Sequence, residues 1–185
     1  MKKQNICIAA MLTVGVLILA VACSKFGASS SDYSNATDKF SIAFPSGSGG
    51  VETKTDTVRF AKSARSYSKQ FDNRSNNFRS YEVQVLDMDN SSVEGKSQRE
   101  ILEIALNGWE KEPETKIKEI TVHGKSGIDS LRTVTIGSVS MTFREVVFWS
   151  DADKKLYVVK VSAVKKENTT TTEADAFVNS FKLNA

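Results

Sequence analysis

The sequence has little of the chemistry that most metal and catalytic sites require. Its 185 residues include only two Cys, one His and two Pro. Two cysteines form at most one bridge, so the chain is not a disulfide-stapled domain. A single imidazole, on His123, excludes a multi-histidine metal site. With 40% hydrophobic and 25% charged residues, the composition also excludes a disordered or collagen-like chain.

The first 22 residues have the pattern of a secretory signal. Met1-Lys2-Lys3 is a short basic region, and residues 6–22 are an apolar run that ends in small residues. The run is at the short limit for a transmembrane helix. A cleaved signal is therefore favoured over the alternative, an uncleaved membrane span.

The end of this run, Ala20-Val21-Ala22-Cys23, resembles the lipobox of bacterial lipoproteins. The resemblance implies cleavage before Cys23, a diacylglycerol on its sulfur and often an N-acyl chain. Two chains suffice for stable anchoring, at roughly 0.8 kcal/mol per buried methylene. The expected location is the bacterial cell envelope, on the outer side of the cytoplasmic membrane. Ser24 implies the outer membrane if the cell has two.

Cleavage would change the inventory of charges and thiols. Cys7 would be removed and Cys23 acylated, which leaves a domain without a disulfide. Loss of Lys2 and Lys3 would lower the net charge from +3 to +1. A nucleic-acid partner is not expected, because phosphate binding requires a concentrated basic surface.

The remaining chain divides into a tether and one domain. Residues 23–37 hold the lipidated cysteine and a stretch rich in Ser, Gly and Ala, which predicts a flexible tether. Residues 38–185 have the length of a single domain.

Hydrophobic alternation in this domain predicts seven strands, and 3.6-residue periodicity predicts two helices. The first helix begins at the capping-box pattern Ser97 to Glu100, and the second at residues 170–173. The predicted strands cover residues 40–44, 57–61, 81–86, 117–122, 131–136, 140–149 and 156–164. The order β-β-β-α-β-β-β-β-α predicts an α+β domain, an antiparallel sheet of about six or seven strands flanked by two or more helices.

Three motifs of this domain resemble the PsbP/Mog1-like family. They are Phe-x-Ile-x-Phe-Pro at residues 40–45, Leu-Tyr-Val-Val at 156–159 and Ala-Phe-Val-Asn-Ser-Phe-Lys-Leu at 176–183. The resemblance implies an α/β/α sandwich, a closing helix over 176–183, and binding or assembly roles without catalysis. It implies no metal ligands here, because no cluster of His and acidic residues matches.

One basic, aromatic-rich segment is a candidate contact with anionic headgroups or a glycan. Its cations are Arg65, Lys69, Arg74 and Arg79. The favoured alternative is an exposed hairpin with a polar turn over residues 72–77.

Other chemistry-bearing residues are weaker candidates. His123 is expected at a turn after a strand. Asp87 and Asp89 alternate as calcium ligands do, but they lack the Gly and distal Glu of an EF-hand loop. Residues 150–153 are expected to be a hairpin turn, and Trp109 and Trp149 to be core or rim residues. We expect no metal and no cofactor.

The sequence therefore predicts a lipid-anchored, non-enzymatic binding or assembly module that acts on an unidentified envelope protein or ligand. Two alternatives stay open. One is an envelope hydrolase whose carboxylates come from separate strands. The other is a structural spacer.

Overall fold

The computed structural model describes residues 30–47, 49–58, 60–71, 77–107 and 116–184, with Asn107 and Ile136 described by their backbones alone. The strands in these ranges are β1 Ser30–Asn35, β2 Phe40–Pro45, β3 Glu52–Asp56, β4 Ala61–Phe71, β5 Arg79–Met88, β6 Lys116–Val122, β7 Lys125–Ile136, β8 Val139–Ser150, β9 Lys155–Ala163 and β10 Lys182–Leu183. The helices are α1 Asn90–Val93, α2 Gln98–Asn107 and α3 Thr172–Ser180, and a 3₁₀ turn covers Lys166–Thr169.

The strands form two sheets in which every pairing is antiparallel. The large sheet has seven strands in the order β3-β4-β5-β9-β8-β7-β6, and the small sheet has the order β1-β2-β10. Short hairpins connect most neighbours, as expected for antiparallel pairing. The prediction of a sheet-dominated α+β fold is confirmed at this level.

Each face of the large sheet buries its own apolar cluster. On one face, aromatic residues of β2 and α3, such as Phe44 and Phe177, pack against Tyr81, Val83 and Val159 of the sheet. On the other face, Leu102 and Ala105 of α2 belong to a cluster with Leu156 and Val158. Alternate residues of each central strand therefore enter opposite clusters, which explains why β9, at the centre of the sheet, is buried at seven of its nine positions.

Local signals predicted two elements well. Ser97 and Glu100 bond reciprocally, because the Ser97 N–H donates to Oε2 of Glu100 at 2.8 Å and the Glu100 N–H donates to Oγ of Ser97 at 3.4 Å. This capping box starts α2 where the sequence places a helix. The predicted hairpin of β8 and β9 is also present, closed by residues 151–154.

The structure differs from the prediction at both ends of the domain and in one strand. Residues 30–35, expected in the tether, form β1 and pair with β2 along its whole length. The predicted strand over 57–61 is wrong, since β3 ends at Asp56 and β4 begins at Ala61. The expected closing helix over 176–183 ends at Ser180, and Lys182 and Leu183 form β10.

The β6–β7 turn shapes the sheet edge at which the candidate site lies. His123 has φ +47 and Gly124 has φ +76, the left-handed conformations of a type I′ turn. Three residues after Gly124, β7 lies close to its other neighbour, β8. A Cβ on Gly127 would lie 2.5 Å from the carbonyl oxygen of Val147. The prediction that His123 lies at a turn after a strand is confirmed.

None of the helices in the described ranges is long and apolar enough to cross a membrane.

Candidate functional site

A cleft of about 510 Å³ opens beside β6, on the sheet face that α3 covers. β6 forms the outer rim, β7 and β8 form the floor, and the beginning of α3 forms the opposite wall. The lining residues are Lys116, Ile117, Lys118, Asp129, Leu131, Arg144, Thr170 and Asp175. The cleft thus combines a sheet edge with charged side chains from three separate elements.

Four charged residues of this cleft form what we call the Arg144 cluster: Arg144, Asp129, Asp175 and Lys118. The Arg144 guanidinium donates to both oxygens of Asp129, with Nε to Oδ1 at 3.2 Å and Nη2 to Oδ2 at 3.0 Å. Its Nη1 donates to Oδ1 of Asp175 at 2.5 Å. Lys118 Nζ lies 3.2 Å from Oδ2 of Asp129. One guanidinium therefore bridges two carboxylates. Charge-assisted hydrogen bonds of this kind are strong.

The strand register explains why these residues meet. Asp129 lies directly opposite Lys118 on β6 and opposite Val146 on β8, so Arg144 is its diagonal neighbour on the same face. Asp175 comes from the first turn of α3, whose start is fixed by the Ala174 N–H donating to Oγ1 of Thr171 at 3.2 Å. The helix cap thus places the second carboxylate over the sheet.

Exposure differs strongly within the cluster. The side chains of Asp129 and Arg144 are 4% and 9% exposed, whereas those of Asp175 and Lys118 are 52% and 69% exposed. Burial alone would lower the pKa of Arg144, but the hydrogen bonds to Asp129 and Asp175 outweigh it and raise that pKa. The buried cation stays charged, and the outer members remain accessible from solvent.

A second cleft, of about 270 Å³, lies on the opposite side of β6 under α2. Arg99 of α2 contacts it and approaches Glu119 of β6, with Nη1 to Oε1 at 3.5 Å. Leu102 and Ile128 provide its apolar floor. The edge strand β6 is therefore flanked by an open cleft on each face of the sheet.

A second group of charges, the Asp38 cluster, surrounds a carboxylate that is closed to solvent. It consists of Asp38, Arg65, Tyr67, Asp87 and Lys155. The fully buried Asp38 carboxylate accepts from Nε and Nη2 of Arg65 at 2.7 and 2.6 Å, from the Tyr67 hydroxyl at 2.6 Å and from Lys155 Nζ at 2.9 Å. Arg65 also lies 2.8 Å from Asp87.

These contacts lower the pKa of the Asp38 carboxyl group. Burial pushes its pKa up, but the hydrogen bonds from Arg65, Tyr67 and Lys155 outweigh burial and lower the pKa from 3.8 to about 2. Burial and the bond to Asp38 raise the pKa of the Tyr67 hydroxyl. Since Asp38 follows β1 and its partners lie on β4 and β9, the cluster ties the small sheet to the large one.

The structure places three of the predicted anion-contacting residues in internal pairs. Arg65 belongs to the Asp38 cluster. Lys69 is 6% exposed and donates to the carbonyl of Pro45 at 3.1 Å. Arg79 pairs with Glu173 at 3.2 Å. Arg74 lies outside the described residues, and contact of these four with an anionic surface stays a prediction.

The favoured alternative for this segment is partly right. β4 and β5 do form a hairpin, with Phe71 opposite Arg79. Its strands are not exposed, however, because both lie inside the large sheet and Tyr67 is 3% exposed. The predicted polar turn falls mostly on residues that the structure does not describe.

The other sequence candidates take ordinary places in the fold. His123 Nε2 lies 2.8 Å from the carbonyl oxygen of Asn179. Asp87 bonds Ser63 and Arg65, and the predicted turn at 150–153 joins β8 to β9. Trp149 is buried in the apolar cluster beneath α2. Trp109 and Cys23 lie outside the described residues.

No group of three His, Cys, Asp or Glu suited to holding a metal ion occurs in the part of the chain that the structure describes.

Comparisons with known proteins assign no family. No protein-family model matches the chain, and no curated protein matches it. Among solved structures, the chain is similar to PA94, a protein of unknown function from Pseudomonas aeruginosa, at 10% identity and a TM-score of 0.33. That match covers 72% of this chain and 82% of PA94. A likeness of this size carries no inference about function.

Sequence reasoning missed both charged clusters. Asp38, Asp129, Arg144 and Asp175 were not among its candidates, because their partners are distant in sequence. One signal was present: Asp129 and Arg144 each interrupt a β-prone segment, and the residue two positions later, Leu131 or Val146, is apolar. A charge at such a position faces a core and requires a partner.

Proposed function

We propose that the protein is a lipid-anchored, non-catalytic binding or assembly module of the bacterial cell envelope. The observation that carries this proposal is Cys23 placed directly after Ala20-Val21-Ala22, at the end of an apolar run. The acylated cysteine would hold the domain at the membrane, on the outer membrane in a cell that has two.

The charged clusters support binding over acid–base catalysis. A carboxylate hydrolase requires one protonated acid and one free base. Asp129 and Asp175 do meet beside the cleft, but the same Arg144 guanidinium pairs with both. Such a group of fixed charges recognises a complementary ligand rather than transferring protons.

The finer fold assignment also belongs to this proposal. We infer that the domain has the PsbP/Mog1-like layered arrangement, with helices on both sides of the sheet. Its support is that α3 and α2 contribute to apolar clusters on opposite faces. The binding roles that this resemblance implies agree with a cleft beside a free sheet edge.

Metabolic labelling with palmitate tests the anchor, and the two cysteines provide a matched pair of variants. The native chain and Cys7→Ala should incorporate label and fractionate with membranes, whereas Cys23→Ala should do neither. Label retained by Cys23→Ala, or its absence from the native chain, would contradict the proposal. Crosslinking in intact cells then separates a binding module from a spacer, which should capture no specific partner.

A further inference from the structure

The outer edge of β6 carries backbone groups without partners in the described part of the chain. Among the described strands, β6 pairs only with β7, and the two close in a two-residue turn between Val122 and Lys125. The residues flanking such a turn form a hydrogen-bonded pair, and the direction of the backbone groups then alternates along the strand. The N–H and C=O groups of Ile117, Glu119 and Thr121 therefore point away from the sheet.

This edge is exposed over much of its length. Proteins commonly cover or shorten their edge strands, because an open edge invites pairing with another chain. β6 has seven residues and is exposed over Lys116–Glu119, and Ile117 is one of two large apolar residues in the described ranges that are 45% exposed. The edge is therefore long enough for an added strand.

The two clefts border the strand beside which an added strand would lie. Successive side chains of a strand point to opposite faces, so those of an eighth strand would stand in turn beside the rim of the cleft next to Arg144 and beside the rim of the cleft beneath α2. Strand addition of this kind takes affinity from the backbone and specificity from such alternate pockets.

The charged side chains of β6 favour an acidic partner strand. On the α3 side the rim of β6 presents Lys116 and Lys118, and Lys116 makes no ion pair with another described residue. Lys118 is 69% exposed and shares Asp129 with the buried Arg144. Acidic side chains of an added strand would lie beside these two ammonium groups, whereas a basic strand would be repelled.

We propose that β6 binds an extended, acidic segment of a partner protein as an eighth strand of the large sheet. Acidic side chains of the segment face Lys116 and Lys118, and the alternate side chains lie on the α2 side of the sheet. This inference rests on the proposed binding function and names the class of partner.

The test uses the full-length protein in detergent micelles and a synthetic peptide in which glutamate alternates with valine. The peptide should bind, and should slow hydrogen exchange at the amides of Ile117, Glu119 and Thr121. A matched peptide with lysine in place of glutamate should bind at least about tenfold more weakly, which corresponds to about 1.4 kcal/mol. Equal binding of the two peptides would overturn the charge argument.

Two substitutions at Glu119 separate the backbone from the side chain. Glu119→Pro removes an outward N–H but no bond of the β6–β7 ladder, a position at which an edge strand tolerates proline. Glu119→Ala keeps the N–H and removes the same carboxylate. We expect about tenfold weaker peptide binding in the proline variant than in the alanine variant. Equal affinity of the two folded variants would overturn strand addition.

A third variant, Lys116→Glu, tests the proposal even if Glu119→Pro does not fold. Lys116→Glu leaves the backbone intact and should weaken binding of the glutamate peptide, with the difference shrinking at high salt. Protection of the three amides without peptide, rising with protein concentration, would overturn the proposal in favour of a second copy. Failed peptide binding with palmitate label intact on Cys23 would refute strand addition and leave the anchoring proposal standing.

Discussion

The Asp38 cluster and the Arg144 cluster use the same chemistry in two different settings. In each, an arginine and a lysine hold a buried aspartate: Arg65 and Lys155 at Asp38, Arg144 and Lys118 at Asp129. The aspartates are equally hidden, at 0% and 4% exposure. Their lysines are not, since Lys155 is 13% exposed and Lys118 is 69% exposed.

In this pair of clusters the exposure of the counter-ion, rather than that of the acid, separates the structural cluster from the accessible one. Around Asp38 every donor is internal, and the Tyr157 hydroxyl also donates to its carbonyl at 2.9 Å. Around Asp129 the outer charges line a cleft. The first arrangement joins two sheets, and the second remains available to a ligand.

Replacement of Asp38, the central acid of the Asp38 cluster, should give the largest loss of stability. Asp38→Ala removes the main partner of Arg65 and Lys155 and leaves the Tyr67 hydroxyl without its acceptor. Removing one partner of a buried ion pair costs about 3–5 kcal/mol. We expect a loss of that size in the free energy of unfolding, measured by urea denaturation.

Asp151→Ala is the matched control for this change. Asp151 pairs with Lys154 at 2.7 Å, but its side chain is 79% exposed. Exposed pairs contribute little to stability, so Asp151→Ala should lower the free energy of unfolding far less than Asp38→Ala. If the two variants lost equal stability, the contrast between closed and open charges would fail.

Replacement of Arg144, the central arginine of the Arg144 cluster, should cost somewhat less stability. Arg144→Leu leaves Asp129 buried but still beside Lys118, and the cleft admits water to the freed carboxylate. We expect a loss of about 2–3 kcal/mol in the same denaturation experiment. A double variant that adds Asp129→Asn should recover part of this loss, because no buried charge then lacks a partner. A further loss in the double variant would contradict this account.

Acid should weaken the Asp38 cluster between about pH 4 and 2. The pKa of Asp38 is about 2 in the folded protein against 3.8 ordinarily. Above about pH 5 both states are ionised and the stabilisation is complete, whereas between about pH 4 and 2 the unfolded chain takes up the proton first. About 2 kcal/mol should be lost across this window. The Asp38→Ala variant should show a shallower decline, and an unchanged decline would assign the acid sensitivity elsewhere.

Local chemistry explains what could be predicted of the fold. The capping box at Ser97 and Glu100 and the polar turn after β8 are each contained in a few adjacent residues, so both were found. β1 and β3 were missed because neither has an apolar alternation of its own, although each pairs with the next strand along the chain. β3 is exposed at every position and has no apolar alternation to detect. β1 packs mainly through Tyr33, which contacts the rings of Phe40, Phe44 and Tyr67.

The site was harder to predict, because a strand pattern does not say which face is covered. Alternation places Arg65 and Lys69 on one side of β4, and the sequence makes that side a candidate for contact with an anionic surface. In the fold it faces β2, whose preceding turn supplies Asp38 as a partner for Arg65. That partner is 27 residues away, and Asp175 is 31 residues from Arg144. Such pairings follow from strand order and not from spacing.

The two lysines provide the finest test of the comparison. Lys155→Met and Lys118→Met remove the same charge from beside a buried aspartate, at N–O distances of 2.9 and 3.2 Å. Lys155 also donates to the Thr37 carbonyl at 3.2 Å and is largely buried, so its loss should cost about 1.5–3 kcal/mol. Lys118 is mostly solvated, and its loss should cost less than about 1 kcal/mol.

Peptide binding should reverse that order. Lys118 faces the proposed added strand, so Lys118→Met should weaken binding of the glutamate peptide, whereas Lys155→Met should leave the affinity of the folded protein unchanged. Urea denaturation and peptide titration of the same two variants therefore measure stability and recognition separately. If Lys155→Met weakened both and Lys118→Met neither, counter-ion exposure would not distinguish the two clusters, and the edge of β6 would lose its charge selectivity.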